Sequence, residues 1–388
     1  MEDIQEILKN YRYQWQKKYS SQEEPRYDDI FSDKFKDDFR DYLKTRITYL
    51  SENEMDIFIE ECLKQYRNMN FETEFDKKYN DVILSSIKDK VEECIKDLGF
   101  DIYGGISIGL IEQPGLNAEQ QRVMFTDGSI INISENIYNQ SKRFSRLIAM
   151  SIDIDESMLP SFSFEDSKNI IMNNRSLMDN WCDFYFDNYN KIEHPIFRND
   201  LIIHDQPHHY LSHVLADFML FYIVAHEYGH HCLNHHLNNE KTPIEKEYEA
   251  DEFAFKLHLQ LVKKNSKEQG PVECLFFLGI ILTLFMQDSI NKTSTVISGN
   301  YEPIVDNWDS EDSDTHPTMG NRINQCFNFV FSTEDIALYL SFNKFIDYII
   351  PLMNFIMKNV NHQFKRVKEE GYTPRGKHPK KKGGGGGG

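Results

Sequence analysis

The sequence predicts an α+β fold that is mostly α-helical. Residues 1 to about 100 contain long stretches of helical period with dense charge, as in "FKDDFRDYLKTRITYL" (35–50). Glycine and proline then separate short β-rich runs between residues 97 and 134, where "TDGS" (126–129) is typical of a hairpin turn. Helical patterns return from about His209 to His235 and after Thr242. We therefore expect many helices and a small antiparallel sheet.

The composition is that of a globular protein with an acidic surface. The chain has 388 residues, of which 40% are hydrophobic and 13% aromatic, and this is enough for a sizeable core. Nucleic acids and anionic membranes need clustered basic residues, whereas the formal net charge here is −19. We therefore expect no nucleic-acid partner. The charge runs of the N-terminal helices fit solvated faces, with docking of a partner as the alternative.

The cysteines and the apolar runs indicate the cellular compartment. Six cysteines are scattered without a CxxC pair, and the N-terminus "MEDIQEILKNY" is acidic where a secretory signal needs a positive charge. The most apolar run, "CLFFLGIILTLFM" (274–286), is shorter than the roughly 20 residues of a membrane-spanning helix. We expect reduced thiols, a cytoplasmic location, and a buried core helix at this run.

The segment "HEYGH" carries the main chemical signal. On a helix, His226 and His230 lie one turn apart on the same face, so that both imidazoles can bind one Zn²⁺ at about 2.0–2.1 Å. Glu227 is rotated toward the open coordination position, where it can act as general base. The preceding "MLFYIVA" predicts burial, which favours a metal because buried ionisable groups need compensation. A buried structural histidine patch is the alternative.

Gly229 adds a packing argument. Glycine inside a helix costs about 1 kcal/mol relative to alanine. Its presence here predicts that another element approaches the helix closely.

The following helix has an explicit start in "TPIEKEYEADEFA". Thr242 is the predicted N-cap, Pro243 takes the first position, and Glu245 completes a capping box.

The same helix is expected to supply the third metal ligand. Glu247 and Asp251 fall on one stripe with Ala250 and Ala254, facing the core. We predict Glu247 as the ligand and Asp251 as the acceptor that fixes the tautomer of a zinc-bound histidine, His226. A neighbouring carboxylate, Glu249, points elsewhere and is expected to be solvated, with a ligand role as the alternative.

Three ordered segments, "HEYGH", "EYEADEFA" and "THPTMGNRI", carry a family resemblance. Together they resemble the gluzincin peptidases that include the CAAX-prenyl endopeptidases and the HtpX-type heat-shock proteases, whose signature is HExxH, ExxxD and HPxxxxR. The last motif is matched by His316, Pro317 and Arg322. Upstream, "GLNAEQQRVMF" with Asn117 and Ala118 resembles the segment leading into the family's substrate-edge strand. The resemblance covers about residues 115–325.

This resemblance implies a zincin-like metallopeptidase fold with an active-site helix. It implies one zinc ion per chain, held by His226, His230 and Glu247, and Glu227 as base. It also implies that His316 donates to the oxyanion formed on the scissile carbonyl, and that Arg322 is structural and holds the His316 loop against the acidic site.

Two departures qualify the resemblance. Membrane-embedded relatives carry spanning helices, and because none is predicted here a lipidated or membrane substrate is not implied. The family also passes quickly from the edge strand to HExxH, so residues 134–210 read as an insertion that covers the cleft or holds specificity. The predicted layout is a helical extension (1–100), a metallopeptidase domain (101–360) and a flexible tail (361–388) outside the fold.

The other histidines near the active helix are expected to play no catalytic part. His209 and His213 have ligand spacing, but a second metal site is not favoured without a nearby carboxylate ligand, and adventitious metal binding is the alternative. The remaining members of this group are His204, His208, His231, His235 and His236.

The functional hypothesis is a zinc-dependent endopeptidase acting on a protein substrate. The substrate is expected to lie extended along a strand that includes Arg122, Val123, Met124 and Phe125. One alternative is a catalytically silent zinc-stabilised sensor or binding module. Another is a toxin or phage-defence protease with one host target, in line with a weaker resemblance to the phage-exclusion Lit-type peptidases.

Overall fold

The fold was obtained as a computed structural model of the chain. It describes residues 3–20, 33–44, 49–67, 73, 75–76, 78–113, 115–154, 160–189, 203, 205–238, 240–269, 273–298, 316–333 and 336–370. Helices dominate these ranges, as the sequence predicts, and a small sheet accompanies them.

The N-terminal part contains α1 (Ile4–Tyr19), α2 (Asp33–Lys44), α3 (Glu52–Arg67) and α4 (Lys78–Asp97). The strands β1 (Ile106–Ile111), β2 (Ala118–Arg122) and β3 (Ser129–Ser134) follow, and after them come α5 (Glu135–Met150), β4 (Asp153–Ile154), β5 (Pro160–Ser161), α6 (Phe164–Asn173) and α7 (Arg175–Tyr189). The C-terminal part contains α8 (Gln206–Cys232), α9 (Pro243–Gln269), α10 (Glu273–Asn291), α11 (Thr293–Ser298), α12 (Met319–Ser332) and α13 (Ile336–Glu370).

The main sheet is mixed, not antiparallel. Its strand order is β1-β3-β2, with β1 parallel to β3 and β2 antiparallel to β3. The predicted hairpin is therefore confirmed for β2 and β3, whereas the expectation of a wholly antiparallel sheet is wrong. Every residue of β1 and β3 is buried, as is typical of parallel strands covered on both faces.

The edge strand is shorter than predicted. β2 ends at Arg122, and Val123 turns inward to pack with Leu8 and Ile130. Phe125 has a left-handed backbone with φ 63° and is fully exposed at the hairpin tip beside the exposed Met124. The prediction of strand structure for residues 123–125 is thus wrong, because the hairpin turn begins before the sequence "TDGS".

Helix α8 is the centre of the helical core. It packs against α4, α5, α9 and α10, and nearly all its residues from Met219 to Gly229 are buried. Its N-cap, Asp205, accepts a hydrogen bond from the backbone N–H of His208. A helix surrounded on all sides needs apolar residues all round, which explains why a run such as "MLFYIVA" precedes the histidines.

The start of α9 and the burial of α10 follow the prediction. The Thr242 backbone N–H donates to the Glu245 carboxylate at 2.7 Å, and the Glu245 N–H donates to Thr242 Oγ1 at 3.2 Å, which is a capping box. In the described part of the apolar run, residues 278–286 are buried. Within the described ranges, no helix combines the length and apolar character needed to cross a bilayer.

Neither the predicted end of the N-terminal extension at residue 100 nor the predicted insertion at 134–210 is separated from the rest of the protein by a break in the hydrophobic core. Apolar residues of α4 share one core with α8, since a helix flanking α8 must bury its own apolar face against it. The predicted insertion also contributes core residues, among them Phe144 of α5 and Trp181 of α7, whose rings pack edge to face. Helix α13 extends to Glu370, past the predicted end at 360, and residues 371–388 lie outside the described part.

Helix α1 is held against the sheet by a buried ion pair. Arg12, 1% exposed, donates from Nη1 and Nη2 to the two carboxylate oxygens of Asp76 at 2.7 and 2.9 Å. Gln16 donates to Asp76 and also to the Leu110 carbonyl of β1. At Gly109 of β1, a Cβ atom would lie 1.7 Å from Arg12 Nη1, so any other residue there would displace this guanidinium from its place. The N-terminal helix is therefore part of the sheet's supporting layer.

We expect Arg12→Ala to destabilise the protein by about 3–5 kcal/mol, because it leaves Asp76 buried without a countercharge. Burial raises the pKa of Asp76, but the charge and hydrogen bonds of Arg12 outweigh burial and lower it. The ion pair thus contributes stability above the unfolded pKa of about 3.9 and loses it as the pH falls through the lower folded pKa. Thermal unfolding should therefore show a difference between wild type and variant that shrinks below about pH 4.

The matched control for this experiment is Arg40→Ala. Arg40 pairs with Asp56 in an exposed ion pair, so its removal is expected to leave the melting temperature nearly unchanged. An equal loss in both variants would contradict the assignment of Arg12 to a buried structural role.

Candidate metal centre

Three side chains from α8 and α9 converge on one point. His226 Nε2 and His230 Nε2 lie 3.2 Å apart. Glu247 places Oε2 3.3 Å from His226 Nε2 and Oε1 3.4 Å from His230 Nε2. Among the described residues, these three form the group of histidine, cysteine and carboxylate side chains that is arranged to hold a metal ion.

The spacing of these atoms fits a tetrahedral zinc ion. Ligand atoms about 2.0–2.1 Å from such an ion are separated from one another by about 3.3–3.4 Å. The 3.2 Å separation of the two histidine Nε2 atoms is close to this value, and each of them has a different oxygen of Glu247 at 3.3 or 3.4 Å. Two imidazole nitrogens and one carboxylate also form a donor set typical of catalytic zinc, in which three protein ligands leave one position open.

The close crossing of α8 and α9 makes this convergence possible. A Cβ atom at Gly229 would lie 3.0 Å from Ala250 Cα and 3.3 Å from Ala250 Cβ. The backbones of α8 and α9 therefore approach each other so closely that side chains larger than those of Gly229 and Ala250 would not fit at the contact. Gly229 lies between His226 and His230, and Ala250 lies between Glu247 and Asp251. The predicted close approach at Gly229 is confirmed.

Asp251 holds His226 from the side opposite the metal position. Its Oδ1 lies 2.9 Å from His226 Nδ1 and also accepts from Tyr222 Oη at 2.6 Å. Arg322 of α12 donates to Asp251 through Nε at 2.8 Å and Nη2 at 2.6 Å. The predicted contact between Asp251 and His226 is thus present, and Tyr222 is a member of this network that the sequence reasoning missed.

The electrostatics of the site favour a cation. Burial raises the pKa of Glu247, but hydrogen bonds to His226 and His230 outweigh it and hold the pKa far below its usual range. Burial lowers the pKa of His226, but hydrogen bonds to Asp251 and Glu247 outweigh it and raise the pKa to about 10. The carboxylates therefore stabilise a positive charge at this position, which either a proton or a metal ion can supply.

Glu227 is buried, and its carboxylate has no polar partner within the described part of the chain. It is 7% exposed, and none of the described residues forms a hydrogen bond or an ion pair with its carboxylate. A carboxylate in this position is available to act on a water or a substrate at the metal position.

The C-terminal end of α8 reaches His230 from its other side. His230 Nδ1 lies 2.8 Å from His235 Nδ1, and His235 Nε2 lies 3.1 Å from Glu249 Oε2. Lys241 forms an ion pair with the second oxygen of Glu249. Burial lowers the pKa of His235 to about 4. Glu249 is therefore a half-buried partner of His235, whereas the sequence predicts a solvated side chain.

The HPxxxxR segment is joined to the site through Arg322. His316 is exposed just before α12, whose N-cap Thr318 accepts from the Asn321 N–H. Arg322 contacts Asp251, as described above, and this fixes the first turn of α12 against α9. His316 lies outside the group of three converging ligands.

Strand β2 runs beside the C-terminal half of α8. Gln120 donates to Ser129 Oγ at 2.6 Å, and that oxygen lies 2.7 Å from His231 Nδ1. Arg122 Nη1 lies 2.6 Å from His236 Nε2. Asn117 and Ala118 open the strand, with Asn117 accepting from the Ser134 N–H and Ala118 in register with Ile133. Since β2 is an outer strand, its far edge is not paired within the described sheet.

The histidines at the other end of α8 make a separate pair. His209 Nε2 and His213 Nε2 lie 3.2 Å apart, and Tyr49 Oη contacts His209 Nδ1 at 2.8 Å. Burial and the nearby positive groups Lys142 and Arg146 lower the pKa of His213 to about 3. A positive environment disfavours a bound cation. His204 lies outside the described residues.

These features define a helical protein with a candidate metal site on two adjacent helices. The family model described as Peptidase U49 matches residues 204–342, which include α8, α9 and α12. The match supports a peptidase family, without pointing specifically to the CAAX-prenyl endopeptidase and HtpX-type gluzincins. No curated protein and no solved structure shows a significant match to the chain.

Replacing Gly229 tests the helix crossing. We expect Gly229→Val to weaken zinc binding and to destabilise the protein by about 1–3 kcal/mol, because the added methyl groups force α9 away from α8. Isothermal titration and thermal unfolding measure the two effects. Tyr210→Val, which places the same side chain at an exposed position of α8, should change neither. Wild-type zinc affinity in Gly229→Val would contradict the role of this contact.

Asp251→Asn is expected to lower zinc affinity about 10–100-fold, since the orienting partner of His226 loses its charge. The substitution also removes the countercharge of Arg322, whose side chain is only 11% exposed, so the melting temperature should fall. Tyr222→Phe is the matched control, because it removes one hydrogen bond to Asp251 and keeps the carboxylate. A zinc affinity that is unchanged in Asp251→Asn would show that the carboxylate does not act on the metal site.

Proposed function

We propose that the chain is a zinc-dependent endopeptidase that hydrolyses peptide bonds of a protein substrate. The observation that carries this proposal is the convergence of the His226, His230 and Glu247 donor atoms on one point, with the carboxylate of Glu227 directly after His226 in the sequence. The Peptidase U49 match supports the broader class of peptidase.

His226, His230 and Glu247 would hold the metal ion. A bound zinc ion supplies Lewis acidity, which polarises a carbonyl group and lowers the pKa of a coordinated water to about 7. The buried network of Asp251, Tyr222 and Arg322 would keep His226 in the tautomer whose Nε2 faces the metal, because its Nδ1 donates to Asp251.

Glu227 acts as the general base. Its carboxylate accepts a proton from the attacking water and delivers it to the amine that leaves when the peptide bond breaks. His316 donates a hydrogen bond to the oxygen of the scissile carbonyl as negative charge develops there, an effect worth about 3 kcal/mol in comparable sites. This role of His316 comes from the HPxxxxR resemblance. Its location before α12, whose Arg322 contacts Asp251, is compatible with the role.

The substrate is proposed to add a strand to the far edge of β2. Residues 118–122 offer a backbone edge beside the half of α8 that carries the ligands. Backbone pairing along such an edge holds a peptide extended and presents its carbonyl groups in a fixed direction. Arg122 is held at the end of this edge by Asp127, the Thr126 carbonyl and His236, so the strand's end is rigid.

The metal is tested first by elemental analysis of purified protein. We expect one zinc per chain in the wild type and none in a His226→Ala, His230→Ala double variant, because two of three ligands are lost. His209→Ala, His213→Ala is the matched control, since it removes an equal number of histidines from the same helix. Zinc that is absent from the wild type, or retained in the ligand variant, would overturn the proposal.

Catalysis is tested by Glu227→Gln. The variant should keep zinc and its melting temperature but lose at least about 100-fold in cleavage rate, because glutamine cannot accept the proton. Cleavage is measured by profiling new N-termini in a cell lysate incubated with each protein. Glu252→Gln, a change at a partly exposed α9 residue paired with Lys256, should cleave like the wild type. A Glu227→Gln protein with wild-type cleavage would refute Glu227 as the base.

A further inference from the structure

The turn that ends α8 brings the side chain of His235 into contact with His230, one of the proposed metal ligands. After the C-cap Leu233, Asn234 has a left-handed backbone with φ 51°. The Asn234 N–H donates to the His231 carbonyl at 3.0 Å, and the His235 N–H donates to the His230 carbonyl at 3.1 Å. These two bonds define a Schellman motif. In this motif the side chains at the positions of His230 and His235 are commonly in contact, usually through apolar groups.

In this protein the contact is a hydrogen bond between two imidazoles. His235 is 3% exposed, and its Nδ1 lies 2.8 Å from His230 Nδ1. If the Nε2 lone pair of His230 faces a metal, the neutral ring carries its proton on Nδ1. The Nδ1 of His235 must then accept a hydrogen bond from that N–H, so the neutral His235 ring carries its own proton on Nε2. That Nε2 lies 3.1 Å from Glu249 Oε2, an acceptor.

A single arrangement of protons therefore satisfies the whole chain of bonds. His230 donates to His235, and His235 donates to Glu249. Glu249 is fixed in turn by Lys241, which lies one residue before the N-cap Thr242 of α9. The two histidine ligands of α8 are thus each tied to a carboxylate of α9, His226 directly through Asp251 and His230 through His235.

We propose that His235 and Glu249 are positioning residues that set the tautomer and the ring orientation of His230 for metal binding. The proposal rests on the proposed zinc site. Neither residue is a ligand: His235 reaches His230 at the nitrogen that faces away from Glu247. Partners of this kind commonly change metal affinity 10–100-fold when they are removed.

The first test compares His235→Phe with His235→Asn, using zinc titration against a chromophoric chelator. Phenylalanine fills the space but accepts no hydrogen bond, so the dissociation constant should rise about tenfold or more. Asparagine places its amide oxygen where Nδ1 stood and can still accept from His230, so its zinc affinity should be clearly closer to that of the wild type. Both variants should still bind one zinc per chain at saturation, because His235 is not a ligand.

The second test uses the backbone at Asn234. Glycine adopts a left-handed conformation freely, whereas valine does not. Asn234→Gly should therefore keep wild-type zinc affinity, and Asn234→Val should lose about as much as His235→Phe, since the turn no longer returns His235 to His230.

A double-variant cycle separates a relay from two independent effects. Because Glu249 acts through His235, adding Glu249→Ala to His235→Phe should weaken zinc binding no further. Fully additive losses would overturn the relay.

The outcomes also distinguish this inference from the proposed function. A wild-type protein without zinc would refute the zinc site itself. A wild type that binds zinc, with His235→Phe binding equally well, would refute only the positioning role. Equal losses in His235→Phe and His235→Asn would also refute it, because they would show that packing and not the hydrogen bond is responsible.

Discussion

The carboxylate of Asp251 is the point on which the candidate site depends. It is buried and hydrogen-bonded to His226, Tyr222 and Arg322, and so it joins α8, α9 and α12. Burial raises the pKa of Asp251, but the charge of Arg322 and the hydrogen bonds outweigh it and hold the pKa below its usual range. A charge buried in this way is stable only while all its partners remain in place. The geometry of the ligands and the docking of α12 are therefore coupled.

The proposed ligand set could be identified from the sequence because helical spacing is regular. His226 and His230 are one turn apart, as are Glu247 and Asp251, and both pairs lie in long helices that the sequence predicts. Contacts made by irregular backbone were harder to predict. The return of His235 depends on a left-handed Asn234, which helical periodicity does not encode, although asparagine directly after an apolar helix is a known end signal.

The fold was predictable in its elements and less so in their pairing. Glycine and proline marked the sheet, and the turn residues marked the hairpin, but nothing local distinguished a parallel β1 from an antiparallel one. The burial of both faces of β1 and β3 is a tertiary property. In the same way, the sequence predicts an extension that includes α4 and an insertion that includes α5, yet both helices bury one face against α8. Amphipathic helices do not reveal which neighbour covers them.

The proposed ligands all lie in the segment from His226 to Glu247. This segment contains the end of α8, one turn and the start of α9. Closing a short loop carries a small entropic penalty, and the penalty grows only slowly with loop length. The helical hairpin of α8 and α9 can therefore bring the ligands together from local contacts. Arg322, by contrast, is separated from Asp251 by 71 positions in the chain. During synthesis, the proposed ligands and Asp251 are added to the chain well before Arg322. Until Arg322 is added, the carboxylate of Asp251 has no arginine to neutralise it.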